Sequence, residues 1–517
     1  MRSLYCKILF FLSASFAPFS LFPNAQVKQS LPDRLDEIVE HAQEKWKIPG
    51  VAVALVHKGK VVYAKGYGYR DLEEKKPVTP DTVFQIGSIS KSFTATLAAM
   101  AVDAQKCAWD TRVQELMPDF LLQDPLATEN FAFKDLFAQN SGLPEKTGDM
   151  QALLGYSPEE IIYNLRFIKP KYSFRSKYSY QNVFYLLAGK TIEKLMGNQS
   201  DTEKKPSFPA LLKENIFTPL SMKDAGASFE EYLAKENRSS FYALINGGVV
   251  HIPDAAPFLR KVDQYVPAGG VHASALDVAK WLMFHIDQGQ VDGKSLVKKQ
   301  QMRTLRRPQI YVGNIGKKPT YYGLGWNYTE SYPRPFVWHN GETFGIKSMA
   351  AFIPEEQLGI VVLTNLRGTK APEGIVWDFF DAYFRKKPRD WVNYFYEKQE
   401  KKRDQESAVT LSSDTLPIAH YVGTYYNEVY GQARILEGKD HLVLQVGPKS
   451  SSMALYPEKR DLFSVHFPSA GRKSHGMQFF RNRKGQVEKM TLDLFSEEGS
   501  AEFIRCSNDS PSLFGYL

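Results

Sequence analysis

The sequence predicts an α+β protein with one antiparallel sheet built from both chain ends, a helical lobe beside it, and a small all-β domain at the C-terminus. Near the start, two apolar runs, 51–56 and 61–64, flank a glycine-containing turn and predict a β-hairpin. Apolar helical patterns such as 93–104 and 184–196 fill the middle of the chain. Strand patterns return within 336–363, where they would pair with the hairpin and complete the sheet.

The N-terminus has the pattern of a secretory signal peptide over residues 1–25. Arg2 and Lys7 give it a positive start, residues 8–22 are apolar, and Asn24-Ala25 offers a cleavage end. We therefore expect an exported protein, periplasmic or secreted. The apolar stretch is short for a stable membrane span, and the alternative is an uncleaved signal that acts as an anchor.

Ser88 and Lys91 form an S-x-x-K motif directly after the apolar run 83–87, at the start of a predicted helix. Residues three apart share one face of a helix, so the lysine ammonium can lie beside the serine hydroxyl. Serine needs an adjacent base to become a nucleophile, and a partly desolvated lysine can be that base or assist it. The motif alone is weak evidence, because Ser295 and Lys298 form a second copy in the same chain.

The order of the motifs favours the first copy. Tyr180-Gln181-Asn182 follows it and leads into an apolar helix, and His339-Asn340-Gly341 ends a predicted strand further on. Penicillin-recognising serine enzymes need these three elements, namely a serine–lysine pair, a tyrosine–asparagine pair and a polar residue with glycine on a strand. Ser88, Tyr180 and His339 therefore form a consistent set.

Two other matches are set aside on position. Lys146-Thr147-Gly148 spells the K-T-G of true beta-lactamases, but it precedes Tyr180 and no strand pattern surrounds it. Ser295 has only Tyr425-Tyr426-Asn427, deep in the C-terminal region, as a tyrosine motif. Neither match belongs to an ordered set.

With these motifs in this order, residues 30–395 resemble the family of class C beta-lactamases and low-molecular-weight DD-peptidases, which includes esterases and D-amino-acid amidases. Ile48-Pro49-Gly50-Val51, Ala268-Gly269-Gly270-Val271 and Tyr322-Gly323-Leu324-Gly325-Trp326 also match in family order. The resemblance implies a beta-lactamase/transpeptidase-like fold and a serine hydrolase that forms an acyl-enzyme on Ser88.

The resemblance also implies roles for the other motif residues. Lys91 and Tyr180 would share the acid and base work, and the phenol can be a base only if the lysine charge lowers its pKa. The backbone N–H groups of Ser88 and Glu342 would form the oxyanion hole. Asn182 would orient a substrate amide by a hydrogen bond. His339 would donate a hydrogen bond to a substrate carboxylate or to Tyr180. Gly341 would let the ligand backbone approach the strand closely.

Two departures from the family pattern limit the substrate prediction. His339 stands where beta-lactamases carry lysine, so efficient beta-lactam hydrolysis is less expected. Glu342 stands where a small residue is usual, and its carboxylate would favour a neutral or cationic substrate. Three functions stay open. They are a hydrolase of D-amino-acid peptides or related amides (cell-wall peptides or beta-lactams included), an esterase or D-aminopeptidase, and a non-catalytic penicillin- or muropeptide-binding protein.

Composition excludes other classes of function. The 517 residues carry a net charge of +8 without a dense basic stripe, so we expect no nucleic-acid partner. The histidines are scattered and no Cys/His cluster occurs, so we expect no metal and no cofactor. Besides Cys6 in the signal, only Cys107 and Cys506 occur, and two unrelated buried thiols are favoured over a bridge between them.

The sequence pattern changes in the C-terminal part of the chain. Residues 396–414 are charged and then polar, which predicts a linker. Residues 415–507 contain short strand patterns separated by turn residues, typical of a small β-barrel or sandwich. This region resembles the lipocalin-like module that often follows the hydrolase family. We expect a structural accessory role, with ligand binding as the alternative.

Overall fold

The computed structural model describes residues 30–197, 206–406 and 417–506, except positions 246, 332, 388, 440, 467–473, 497 and 500. The predicted signal peptide therefore lies outside the described residues.

A nine-stranded antiparallel sheet forms the centre of the first domain and confirms the predicted sheet built from both chain ends. In sheet order its strands are Ile310–Ile315, Lys318–Tyr322, Asn327–Thr329, Phe336–Glu342, Lys347–Ile353, Leu358–Thr364, Gly50–His57, Lys60–Asp71 and Lys76–Pro77. The predicted hairpin is the pair Gly50–His57 and Lys60–Asp71, and its first strand lies beside Leu358–Thr364. Strands from distant parts of the chain thus meet at the middle of the sheet.

Both faces of the sheet are covered, which explains why the central strands are almost continuously apolar. In Gly50–His57 the valines and leucine at odd positions pack with the helices Leu31–Trp46 and Ala371–Tyr383. The alanines at even positions face the other layer, which includes Ala275–Ile286. The side-chain period of two assigns each residue to its layer.

The helical lobe lies against that second layer. Its central helix, Ser90–Asp103, is buried from Ser90 to Ala101, and Val183–Met196 packs beside it. Both elements agree with the predicted helices at 93–104 and 184–196. The further described helices of the first domain are Val113–Leu116, Pro125–Asn130, Asp135–Ala138, Asp149–Leu154, Pro158–Asn164, Phe208–Leu212, Phe229–Leu233, Val266–Gly269, Lys299–Arg306 and Trp391–Glu406.

Short elements connect these helices and strands. Single 3-10 segments span Gly87–Ile89, Leu165–Phe167, Leu259–Tyr265 and Pro354–Glu356, and a π-helix spans Lys213–Phe217. Small sheets pair Val83–Gln85 with His272–Ser274, Gln290–Val291 with Lys294–Ser295, and Phe241–Ile245 with both Gly248–Ile252 and Leu366–Arg367.

The end of the first domain is helical, with a break in the middle. Two helices are present, Ala371–Tyr383 and Trp391–Glu406. Arg385 adopts a left-handed φ of 50°, and proline at 388 disfavours helical backbone before it. The second helix occupies residues 396–406 of the predicted linker, and residues 407–414 lie outside the described part of the chain.

The C-terminal domain, here called the barrel, is a closed eight-stranded β-barrel, which decides between barrel and sandwich. Its strands are Gly423–Asn427, Gly431–Glu437, Leu442–Val446, Ser451–Lys459, Leu462–His466, Ser474–Arg481, Val487–Leu492 and Glu502–Arg505, with the 3-10 turn Ile418–His420 before them and the helix Asp493–Ser496 within. Alternate residues point inward, as the burial of every second position in Leu442–Val446 shows. The sequence did not predict the strands Ser451–Lys459 and Leu462–His466.

The two described cysteines are unpaired. Cys107 is half-buried and Cys506 is exposed, so the expectation that both are buried is wrong. Within the described ranges, no helix combines the length and the apolar character that crossing a membrane requires.

Candidate active site

Ser88 lies in the 3-10 turn Gly87–Ile89, which joins the apolar strand before it to the helix Ser90–Asp103. Gly87 has a φ of 54°, and a Cβ there would lie 2.5 Å from the backbone nitrogen of Glu342. The Ser90 hydroxyl donates to the Gly87 carbonyl at 2.7 Å and accepts from the Val271 N–H at 3.0 Å. The turn that presents Ser88 is therefore fixed from both sides.

Gly341 has a different reason to be glycine from the one predicted. A Cβ at this position would lie 1.9 Å from the carbonyl oxygen of Ile86, just before the nucleophile turn. The Ser348 hydroxyl on the neighbouring strand donates to the same oxygen at 2.8 Å. Gly341 thus lets the strand Phe336–Glu342 approach the turn that carries Ser88, rather than a ligand backbone.

The backbone of Glu342 faces the nucleophile turn. The Thr343 N–H donates to the Ile346 carbonyl at 3.1 Å, which makes these two residues a hydrogen-bonded pair at the end of the hairpin. Hydrogen-bonded and non-bonded pairs alternate along antiparallel strands, so the next pair, Glu342 and Lys347, is non-bonded. The Glu342 N–H therefore points away from its partner strand, toward Gly87. The role of this N–H as the second donor of the oxyanion hole stays a prediction.

Lys91 is fully buried, and its ammonium nitrogen has three close polar neighbours. Nζ lies 3.2 Å from Ser88 Oγ, 2.6 Å from Asn182 Oδ1 and 2.7 Å from the Ala268 carbonyl oxygen. Burial lowers the lysine pKa to about 7, against the opposing effect of the Asp149 charge. A neutral amine can donate two N–H bonds to the two carbonyl oxygens and still offer its lone pair to the Ser88 hydroxyl.

The Tyr180 phenol adjoins Ser88 from the other side. Burial raises its pKa well above 10, as does its neighbour Tyr322, while a hydrogen bond with Ser88 acts in the opposite direction. Lys91 Nζ lies 4.8 Å from the centre of the Tyr180 ring. The raised pKa is opposite to the lowering that a phenolate base needs. Tyr180 therefore stays protonated and can donate or relay a proton.

Asn182 links the lysine to a carboxylate that the sequence reasoning missed. Its Nδ2 donates to the two carboxylate oxygens of Asp149 at 3.0 and 3.2 Å, while its Oδ1 accepts from Lys91. Both ends of the amide are thus engaged inside the protein. This differs from the predicted contact with a substrate amide, and makes Asn182 a bridge between Asp149 and Lys91.

Asp149 begins the helix Asp149–Leu154, here called the aspartate helix. Burial raises the pKa of its carboxyl to about 6, whereas the Asn182 hydrogen bond and the charges of Lys91 and Lys146 lower it. It directly follows Lys146-Thr147-Gly148, the motif set aside for lack of a strand. That motif lies in a loop, as predicted, but the Lys146 N–H bonds the Tyr180 carbonyl at 2.8 Å and brings the loop to the site.

His339 is buried behind the site and does not point into it. Its Nε2 lies 2.9 Å from the Tyr322 hydroxyl and its Nδ1 lies 2.6 Å from the Asn340 carbonyl oxygen. Burial and the charge of Lys91 lower its pKa to about 3, so the ring is neutral. A carbonyl only accepts, so Nδ1 carries the proton and Nε2 accepts from Tyr322. The predicted contact with a substrate carboxylate does not fit this position.

Glu342 is paired, so its charge is balanced. Its carboxylate lies 3.0 Å from Lys347 Nζ and 3.4 Å from Arg367 Nε. Burial raises the pKa of this carboxyl, but the two cations outweigh that effect and hold the pKa below its usual value. The expectation that Glu342 repels an anionic substrate loses its basis.

A pocket of about 410 Å³ opens above Ser88. Its walls are formed by Ser88, Lys146, Asp149, Ala152, Leu153, Tyr180, Asn182, Lys261, Val262, Tyr265, Ala268, Gly269, Glu342, Thr343, Phe344 and Arg367. The second S-x-x-K has no comparable surroundings, because the Ser295 hydroxyl donates to the Val297 carbonyl and Lys298 pairs with Asp103. Among the described residues, no group of three potential metal ligands is close enough to hold an ion.

Replacing Asp149 with asparagine is expected to move the acid limb of the pH–rate profile about one unit lower. The Asp149 carboxylate raises the pKa of Lys91, so removing its charge lets the lysine lose its proton at lower pH. Asparagine can still accept the hydrogen bond from Asn182. The measurement is the pH dependence of Ser88 labelling by a fluorophosphonate, with Asp124→Asn, a helix cap outside the pocket, as control. An unmoved acid limb would contradict this coupling.

A sheet-and-helix domain in which a serine, a lysine and a tyrosine lie close together is typical of penicillin-recognising serine enzymes. Residues 35–379 match the family model described as Beta-lactamase, and the chain belongs to the beta-lactamase family. Residues 408–505 match a second model, described as a domain of unknown function, DUF3471.

Known proteins similar to this chain include both hydrolases and a penicillin-binding homologue. The unguisins hydrolase of Aspergillus campestris (strain IBT 28561) is 27% identical over 476 residues, covering 85% of this chain and 84% of the relative. Protein flp of Staphylococcus aureus (strain MW2) is 24% identical over 345 residues, covering 66% and 64%. The octameric penicillin-binding protein homologue from Pyrococcus abyssi has a TM-score of 0.60 and 25% identity, covering 91% and 99%.

Proposed function

We propose that the protein is a serine hydrolase that forms an acyl-enzyme on Ser88 and acts on D-amino-acid peptides or related amides. The observation that carries the proposal is the position of Lys91. Its amine lies 3.2 Å from the Ser88 hydroxyl and donates hydrogen bonds to the carbonyl oxygens of Asn182 and Ala268. A lysine held in this way with a pKa of about 7 is suited to remove the serine proton near neutral pH.

Acylation follows from these contacts. The neutral Lys91 amine takes the Ser88 proton as Oγ bonds to the substrate carbonyl carbon, and the carbonyl electrons move onto oxygen. The resulting oxyanion accepts hydrogen bonds from the N–H groups of Ser88 and Glu342. Its collapse breaks the C–N bond, and the leaving nitrogen takes a proton that passes from Lys91 through the Tyr180 hydroxyl.

Deacylation repeats the same chemistry with water. Lys91, neutral again, removes a proton from water as it attacks the acyl-enzyme carbonyl, and the second oxyanion occupies the same hole. Collapse returns the proton to Ser88 Oγ and releases the acid. The high pKa of Tyr180 suits a relay, because the phenol accepts one proton as it donates another and does not persist as phenolate.

The charges around the pocket favour a substrate with a carboxylate or a neutral end. Glu342 is balanced by Lys347 and Arg367, and Lys146 and Lys261 also line the pocket. Similarity to the unguisins hydrolase and to the penicillin-binding protein homologue supports a hydrolase of this family. The alternatives are an esterase or D-aminopeptidase, and a binding protein that acylates without turnover.

We further propose export to the periplasm or the exterior, where cell-wall peptides are found. The proposal is supported by the charged, apolar and small-residue pattern of residues 1–25. The mass of the mature N-terminus after expression checks it, and an intact Met1 on a cytoplasmic product would contradict it.

A matched pair of peptides provides the substrate test. A peptide ending in D-Ala-D-Ala is expected to be cleaved with a higher kcat/KM than the same peptide with an amidated C-terminus, because the lysine-lined wall favours the carboxylate. D-alanine p-nitroanilide, p-nitrophenyl acetate and nitrocefin complete the panel, with intact-mass detection of adducts. Turnover of the ester alone would indicate an esterase, and faster cleavage of the p-nitroanilide a D-aminopeptidase. A persistent penicillin adduct without turnover of any substrate would indicate a binding protein.

A further inference from the structure

The barrel inserts one buried carboxyl group into the first domain. Glu498, which follows the helix Asp493–Ser496, is 3% exposed. Its carboxyl oxygens accept from the Met150 N–H at 2.5 Å, from the Gly148 N–H at 3.2 Å and from the Tyr430 hydroxyl at 2.7 Å. One side chain of the second domain thus holds two backbone groups of the first.

Those two backbone groups flank Asp149. Gly148 lies directly before it with a φ of 87°, and Met150 lies directly after it in the aspartate helix. The Tyr265 hydroxyl, which also lines the pocket, donates to the Gly148 carbonyl at 2.8 Å. The backbone on either side of Asp149 is therefore anchored, in large part by Glu498.

Asp149 is linked through Asn182 to Lys91, the base of the proposed reaction. Asp149 accepts from Asn182, and Asn182 in turn accepts from Lys91 at 2.6 Å. A shift of the aspartate helix would change the distance between the Asp149 charge and the lysine. It would also release the Asn182 amide, which holds Lys91 beside Ser88.

We propose that Glu498 is a positioning residue of the active site, through which the barrel holds Asp149, Asn182 and Lys91 in place. The inference rests on the proposed function of Ser88 and Lys91. It gives the barrel a part in the reaction in addition to the structural accessory role expected from sequence.

The chemistry of Glu498 supports a specific role. Burial and the nearby charge of Asp149 raise its pKa to about 8, while its hydrogen bonds from Met150, Tyr430 and Gly148 lower it. Two buried carboxyl groups in one region are unfavourable for folding unless donors compensate them. The barrel also contacts the first domain without a charge, because the Tyr156 hydroxyl donates to the Tyr430 carbonyl at 2.7 Å.

The test is a double-mutant cycle with Glu498→Gln and Asp149→Asn in the full-length protein. Glutamine keeps the size of Glu498 but cannot accept all three hydrogen bonds, so the backbone around Asp149 loosens. The readout is the rate of Ser88 labelling by a fluorophosphonate across pH. Glu498→Gln is expected to slow labelling about tenfold or more, since small displacements of catalytic groups are costly. It should also move the acid limb lower, as Asp149→Asn does, and add no further shift in the double variant.

Tyr156→Phe is the matched control, because it removes a hydrogen bond between the two domains that does not involve Asp149. It is expected to leave the acid limb in place. Additive shifts in the double variant, an acid limb unchanged by Glu498→Gln, or an equal shift in Tyr156→Phe would overturn the positioning role. Absence of any labelling in the wild-type protein would instead contradict the proposed function itself.

Discussion

Replacing Ser88 with alanine is expected to reduce turnover by at least about 10⁴-fold and to abolish covalent labelling. Ser88 supplies the oxygen that bonds to the acyl group, and both Lys91 and Tyr180 form hydrogen bonds with its hydroxyl. The fold should survive, because Lys91 keeps its bonds to Asn182 and Ala268. Intact-mass spectra after incubation with a fluorophosphonate and with penicillin measure the adduct, and kcat/KM measures turnover.

The chain contains its own control for this experiment. Ser295 begins the second S-x-x-K motif, but its hydroxyl donates to the Val297 carbonyl and its lysine pairs with Asp103. Ser295→Ala is therefore expected to keep wild-type labelling and turnover. Activity that persists in Ser88→Ala, or an adduct that maps to another serine, would refute the mechanism.

The parts of the fold that follow a simple period could be predicted. The helix Ser90–Asp103 and the hairpin beginning at Gly50 were identified because their apolar residues repeat in short windows. The assembly of one sheet from both chain ends followed from the strand patterns at those ends. The strand Ser451–Lys459 was missed because only Met453 and Leu455 mark its inward face, and Pro457 disfavours a strand assignment.

The site was predicted where the motifs carry the chemistry and missed where tertiary contacts decide it. Ser88, Lys91 and Tyr180 meet as their order suggested. The hydrogen bond between Gly148 and Glu498 joins residues 350 apart in the chain, and no local pattern indicates it. Asp149 could not be predicted for the same reason, since only the folded loop brings it to Asn182.

Two predicted substrate contacts changed because neighbours occupy them. Sequence position placed His339 and Glu342 on the correct strand, yet it could not show what surrounds each side chain. Tyr322 forms a hydrogen bond with the His339 ring, and Lys347 donates one to the Glu342 carboxylate. The preference for a neutral or cationic substrate that Glu342 had suggested therefore loses its basis.

Replacing Lys91 with glutamine is expected to lower kcat/KM by about 10²- to 10⁴-fold, the range of a lost general base. Glutamine keeps two N–H donors for the carbonyl oxygens of Asn182 and Ala268, but its amide has no basic lone pair that can take the Ser88 proton. Lys298→Gln, in the second S-x-x-K motif, is the matched control and should behave as wild type. Steady-state kinetics on the preferred peptide provides the measurement.

The pH profile of the same variant tests the assignment of the base. In the wild type, rates should fall below about pH 7, because protonation of Lys91 removes the lone pair that receives the serine proton. The residual activity of Lys91→Gln should lack this inflection, since the titrating group is gone. An inflection that stays near pH 7 in the variant would assign it to another group, such as Asp149 with its pKa of about 6. Loss of both rate and inflection would identify the buried lysine as the base, because no change in folding alone removes a single titration from the profile.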